Sequence, residues 1–326
     1  MPGDRVFLTG ATGLVGGHVL RELHYAGYQV RALVRSDARL DGCETVLGDL
    51  RRAGDLVRAM DDCRYLIHCA ALYSFAPRDR AAIHDVNVAG TAALLEAARI
   101  AGVERAVVTS SSATVGPVRD GRLATEDDWV TDTGQATSAY HHSKVEQERA
   151  ALAARVPVVL VLPTAPVGPG DRKPTPTGKM VLDFARGMMR VAPPPGGLNL
   201  VAVEDVARAH VAALTCGRPG ERYLVGGENL TLDEVWARLA EVTGRPAPRV
   251  HLPYALLLSI AWIDELRCRS SVNARPAVPL EGVRMARERM HIDSAKAMRE
   301  LGHRPSDVGD ALARAVAWYR DNGYLH

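Results

Sequence analysis

The sequence predicts an α/β protein built on a doubly wound parallel sheet, followed by a smaller, mostly helical C-terminal region. Three observations carry this. Short runs rich in β-branched residues alternate with longer helical patterns through the first half; several of these runs are apolar throughout; and the alternation fades beyond Thr164. Continuously apolar strands are buried on both faces, as parallel strands covered by helices are.

The strand candidates, in order, are RVFLTG, YQVRALVR, CETVLGD, YLIHCAA, RAVVTSS and PVVLVLPT. Between them lie helical patterns at 14–26, 50–61, 80–101 and 138–154. Beyond Thr164 the prolines and glycines of APVGPGDRKPTPTGK, and again of APPPGG, forbid a long regular element. The helical EDVARAHVAALTC then leads to the strand-like ERYLVGG, so the chain is expected to return to the sheet. LDEVWARLAEVTG and DALARAVAWYRDNGY read as final helices.

Composition narrows the function classes. The chain has 326 residues, with 40 Lys and Arg against 38 Asp and Glu, a formal charge of +2. That balance is too even for a nucleic-acid binder or a polybasic membrane-surface protein, which leaves small-molecule partners. The five cysteines are an odd number without any CxxC pair, which predicts neither a disulfide framework nor a metal site. A reducing cytoplasm fits that pattern. The N-terminus runs into strand pattern almost at once, so no export leader is expected. The longest apolar runs fall short of the roughly 20 residues that cross a bilayer.

The turn TGATGLVGGH follows the first strand and opens the first helix, with Gly10, Gly13 and Gly16 at three-residue intervals. Glycines here allow a tight turn, a close backbone approach to a pyrophosphate, and close packing of helix on strand. This identifies a Rossmann-type dinucleotide domain, with Thr12 and Leu14 beside the glycines as further cofactor contacts. The second strand ends in RALVRS, with Arg35 where an NAD enzyme carries an acid. Arg35, helped by Arg31, suits a 2′-phosphate, so NADP(H) is favoured and NAD(H) is the alternative. Asp49 and Leu50 in GDL are placed near the adenine, and Ala70 in HCAA at the topological switch point. The domain therefore spans 1–165, with 198–226 returning to the sheet; 166–197 and 227–326 form the substrate-binding region.

The stretch SAYHHSKVEQE sets Tyr140 and Lys144 one helical turn apart on one face, with His141 and His142 rotated away. The chain has only four lysines, so chance rarely yields such a pair. A phenol with a reference pKa near 10 becomes usable at neutral pH when a nearby cation stabilises its anion, which Lys144 supplies. The fifth strand offers Ser110, Ser111 and Ser112 to hold the reacting oxygen.

Together, TGxxGxxG, the serine-rich strand end and YxxxK resemble an extended short-chain dehydrogenase/reductase. RKPTPTGKM, GLNLVAVEDVARAH, GERYLVGGENLTL and GVRMARERM are similar to dihydroflavonol-reductase-like and hopanoid-associated sugar epimerase-like proteins. The resemblance implies Tyr140 as acid or base, Lys144 as its activator and a ribose contact, Asn87 as a further catalytic residue, and Ser111 or Ser112 as the catalytic serine. Strand register favours Ser111. Pro163, in the reductase-like PT…VGP, is a further cofactor contact.

The same residues serve a reductase acting on a ketone or aldehyde, or a sugar-nucleotide epimerase. Leu162, aligned where epimerases carry a nucleotide-binding asparagine, and Arg35 favour the reductase; Arg172 and Lys173, able to hold a phosphate, favour the epimerase. A sugar dehydratase lacks its acidic pair in SSSATVG, and a non-catalytic NADP-binding sensor is disfavoured by the intact YxxxK. Met180, Phe184, Met188 and Met189 share a helical face that reads first as core and second as a pocket. Tyr73 and Phe75 occupy a substrate-contact position, which suits a bulky hydrophobic carbonyl substrate. The resemblance also allows a homodimer, and no membrane partner is expected.

Overall fold

The computed structural model describes residues 3–36, 40–74, 79–116, 118, 121–130, 138–189, 191, 196–248, 250, 252–269 and 280–325. Phe75 lies outside the described residues. In chain order the elements are β1 (Arg5–Thr9), α1 (Leu14–Tyr25), β2 (Gln29–Val34), β3 (Glu44–Leu47), α2 (Leu56–Ala59), β4 (Tyr65–His68) and α3 (Arg80–His84). A π-helical turn (Asp85–Ala89) runs into α4 (Gly90–Ile100), followed by β5 (Arg105–Thr109), α5 (Ala139–Leu152), β6 (Val158–Pro163), β7 (Ala165–Val167), α6 (Pro176–Ala185), β8 (Gly197–Ala202) and α7 (Val203–Ala213). The chain ends with β9 (Arg222–Val225), β10 (Glu228–Thr231), α8 (Leu232–Thr243), α9 (Tyr254–Arg269), α10 (Leu280–Met285), β11 (Arg289–Met290), α11 (Ala295–Leu301) and α12 (Val308–Asp321).

Seven strands form the main sheet in the order β3-β2-β1-β4-β5-β6-β9, every neighbouring pair parallel. The order reverses between β1 and β4, the switch point where such sheets open a crevice at their C-terminal ends. Alternate residues of each strand feed two cores. Val6, Leu8 and Ile67 pack with Val19, Leu23 and Val206 under α1 and α7, while Phe7, Leu66 and Leu160 pack with Leu94 and Leu95 of α4. Strands buried on both faces thus explain the continuous apolar runs.

Residues 198–226 divide between two sheets. Only β9 re-enters the main sheet, beside β6. β8 lies instead at the centre of a second sheet, antiparallel to β10 and parallel to β7 and β11. The apolar run LNLVA is equally strand-like in either sheet, so its pattern does not name its partners. The C-terminal region packs around a third core in which Phe184 stacks on Trp236, ring centroids 5.9 Å apart. Met180 and Met189 pack against that core, and Met188 is exposed.

Local signals fix several helix starts. Ser138 accepts the His141 N–H at the head of α5, and Thr231 and Glu234 cap α8 reciprocally. Among the described residues no helix is long and apolar enough to cross a membrane, and no cluster suits a metal ion.

Candidate active site

The turn between β1 and α1 is closed by steric necessity. Gly10 has φ +79°, and a Cβ there would lie 2.6 Å from the Ala70 backbone nitrogen at the end of β4. A Cβ on Gly16 would lie 2.1 Å from the Gly10 carbonyl oxygen, so only glycine lets α1 fold back onto the turn. Gly13 differs, because its Cβ would meet only the Gly10 oxygen, at 3.3 Å. Gly13 and Thr12 are exposed, Leu14 is half-buried, and no side chain caps α1. Uncapped N–H groups at an open helix start, beside a turn bounded by Gly10 and Gly13, fit a pyrophosphate.

The end of β2 carries no carboxylate, and Arg35 is exposed there. Arg31 does not help it. Its guanidinium pairs with Glu44 at 2.9 Å and donates to the Asp61 carbonyl at 2.6 Å, which anchors the far edge of the sheet instead. Asp49 accepts from the Arg51 backbone N–H and from both arms of the Arg51 guanidinium, at 3.0, 3.0 and 2.6 Å. Those bonds hold its carboxyl down at about 2. Leu50 is buried in the core, against which Gly90 packs closely, so its side chain presents nothing to a cofactor.

Tyr140, on the first turn of α5, gathers the other candidates. The Ser111 hydroxyl lies near enough to the Tyr140 phenol to favour its ionised form, and the Tyr73 ring meets the Tyr140 ring edge-on, centroids 4.1 Å apart. Ser112 turns elsewhere, lining a small cleft with Arg289 and His291, and Ser110 donates to Glu148 at 2.5 Å. Burial raises the Tyr140 pKa above the ordinary phenol value, outweighing the opposing effect of the nearby Ser111 hydroxyl, so the group stays protonated at neutral pH. The Lys144 ammonium lies 5.8 Å from the centre of the Tyr140 ring. His142 pairs with Glu146 at 3.2 Å, on a different side of α5.

Lys144 is itself held by residues that no motif announces. Its Nζ donates to the Thr109 carbonyl at 3.0 Å and to Gln147 Oε1 at 2.8 Å, and burial pulls its pKa down to about 8. Gln147 Nε2 donates to Thr91 Oγ1 at 2.9 Å, and Thr91 donates its one proton to the Asn87 carbonyl at 2.6 Å. His68 Nε2, 2.9 Å from Thr91 Oγ1, must therefore donate to it. His68 Nδ1 is left to accept from Thr9, 2.7 Å away, whose hydroxyl accepts the Ala70 N–H at 3.2 Å. Donor counting thus fixes two runs of donors that converge on Thr91, one from the end of β4 through Thr9 and His68 and one from Lys144 through Gln147. Gln147, one turn beyond Lys144, was visible as a neighbour; Thr9 and Thr91 were not.

Asn87 lies in the π-helical turn and is fully buried. Its amide accepts the Leu72 N–H at 2.7 Å and donates to the Leu72 carbonyl at 3.0 Å and to Ser143 at 3.1 Å. It thereby braces the loop carrying Tyr73 against α5. A buried ion pair performs a similar task behind Ser111: Glu148 accepts from Ser110, Thr114 and Arg222, the last at 2.9 Å.

Pro163 is buried at the end of β6. Leu162 is also fully buried, in the core with Leu160, Leu224 and Ile292. A side chain there faces the core, so the leucine says nothing about a nucleotide, and the contrast with epimerases drawn from it falls away. Arg172 and Lys173 are exposed in the loop before α6.

Residues 6–226 match the model of the NAD dependent epimerase/dehydratase family. The chain is 41% identical over 334 residues to a putative dihydroflavonol 4-reductase of Synechocystis, covering 99% of this chain and 96% of the relative. It is 38% identical to sterol demethylase protein B of Methylococcus capsulatus, covering 98% and 99% of the two chains. The crystal structure of gox2253 superposes with a TM-score of 0.86 at 36% identity, covering 99% of this chain and all of that one.

Proposed function

The chain belongs to the NAD dependent epimerase/dehydratase family of extended short-chain dehydrogenases/reductases, and on that premise we propose an NADP(H)-dependent reductase acting on a ketone or aldehyde. One observation carries the reading. The Tyr140 phenol is kept protonated by burial, with the Ser111 hydroxyl beside it and the Lys144 ammonium 5.8 Å from its ring, an arrangement suited to give a proton to a developing alkoxide and to hold its oxygen. The bound dinucleotide supplies the hydride.

The chain's own residues then divide the work. The Gly10–Gly16 turn and the start of α1 receive the pyrophosphate, with Thr12, Leu14, Ala70 and Pro163 around it. Arg35 receives the 2′-phosphate, and Asp49, already engaged with Arg51, shapes the adenine side; Leu50 contributes only backbone. Lys144, steered by Thr109 and Gln147, keeps a third N–H for the ribose and the tyrosine. Asn87 acts by positioning the Tyr73 loop. Names drawn from flavonoid and sterol chemistry among the relatives support a bulky hydrophobic carbonyl substrate.

The family's name keeps a second reading, sugar-nucleotide epimerisation, in play. The test offers NADPH and NADH to the purified protein with a panel of sterol, flavonoid and aliphatic ketones, alongside a UDP-sugar epimerisation assay. NADPH oxidation is expected with a hydrophobic ketone, falling roughly 10²–10⁴-fold in Tyr140→Phe while NADPH binding persists. Epimerisation without ketone reduction would overturn the proposal, and so would NADPH binding without turnover on any carbonyl.

A further inference from the structure

Three residues of α5, spaced four apart, address three consecutive residues where the chain leaves β5. Lys144 donates to the Thr109 carbonyl at 3.0 Å, Glu148 accepts from the Ser110 hydroxyl at 2.5 Å, and Tyr140 has the Ser111 hydroxyl beside its phenol. Positions four apart drift by only about 40° around an α-helix, so the three stand on successive turns of one side. The acid and the support of its serine are therefore carried by one rigid element.

The grip on the serine is two-sided. Ser111 opens the short helical turn Ser112–Thr114, and its Oγ accepts the Ala113 N–H at 3.1 Å, which leaves its one proton to give. Glu148 Oε1 reaches both ends of that turn, Ser110 before it and, at 2.8 Å, the Thr114 hydroxyl that closes it. Glu148 Oε2 faces Arg222, whose guanidinium also donates to Thr114 Oγ1 at 3.0 Å and to the Glu126 carbonyl at 2.5 Å. Glu148 is fully buried and Arg222 nearly so. Stability alone does not account for such a pair, because well-packed apolar residues in its place are often no worse. An apolar pair would hold the elements together but could not aim a hydroxyl. We propose that Glu148, paired with Arg222, is the positioning residue that fixes the Ser111 hydroxyl against Tyr140, by clamping the serine turn at Ser110 and Thr114. This rests on the reading of Tyr140 and Ser111 as the catalytic pair.

The test measures kcat, KM and the NADPH Kd of variants on whichever reaction the wild type performs, ketone reduction or epimerisation. Glu148→Leu with Arg222→Met removes the clamp without stranding a charge. This double variant is expected to remain folded and keep its NADPH Kd, with kcat about 10–100-fold lower and KM little changed. Glu148→Gln with Arg222→Met keeps a neutral acceptor for Ser110 and Thr114 and should recover most of that loss. Ser110→Ala leaves the ion pair in place, should lower kcat by about tenfold or less, and carries the test if the double variant does not fold. In a Ser111→Ala background none of these changes should slow turnover further, since all act through that hydroxyl. Losses that multiply in that background would overturn the proposal. Ser111→Ala as fast as wild type would overturn the catalytic pair and the proposal with it, whereas a slow Ser111→Ala beside a fast apolar double variant would overturn the proposal alone.

Discussion

Two buried imidazoles flank Lys144 from opposite faces of the sheet, and both are neutral. Burial lowers His68 to about 3 and His210 to about 4 from an ordinary value of 6.5. His210 Nδ1 donates to the Val206 carbonyl at 2.7 Å and its Nε2 accepts from Thr109 at 2.8 Å, so protonation would reverse that second bond and turn the Thr109 proton towards Cys69 Sγ. Below pH 6.5 the unfolded chain binds protons that the folded chain refuses, and stability falls as pH falls. Each histidine adds a slope of about 1.4 kcal/mol per pH unit, down to about pH 4 for His210. Urea unfolding at pH 7, 6 and 5 should show this loss, and His210→Gln should make the dependence shallower. At this scale the sequence made Tyr140 and Lys144 legible through spacing. Gln147, three residues on in the same helix, was a visible neighbour, whereas Thr91, which holds Gln147 from α4, was not.

Elements hold the site through buried pairs. Arg222 on β9 donates to Glu148 on α5 at 2.9 Å and to Thr114 at 3.0 Å, with its guanidinium 4.9 Å over the Trp129 ring. Burial raises the Glu148 pKa, and Arg222 opposes that shift. Arg222→Met leaves an unpaired carboxylate and should cost about 3–5 kcal/mol in chemical unfolding. Replacing both partners by apolar residues should cost much less, a contrast that separates the lost pairing from lost packing. The main strands and helices follow from periodicity, whereas the π-helical turn at Asn87 and the second sheet around β8 do not. Both depend on what the segment packs against.

Across the whole molecule, the proposed cofactor site would draw on the β1 turn, the β2 end and the β4 end together, and a ligand that binds only the folded state stabilises it. NADPH at a hundred times its Kd should add about 2.7 kcal/mol to stability. NADH at the same concentration should add less, and Arg35→Ser should narrow the difference in a thermal-shift titration. The sequence alone determined the parallel sheet, the glycine turn and the Tyr140–Lys144 pair, because strand period, glycine sterics and helical phase act over a few residues. Tertiary structure alone decided that Leu162 faces the core, that Arg31 serves Glu44, and that Asn87 braces the loop carrying Tyr73. Each of those outcomes depends on partners distant in the chain, which no local pattern encodes.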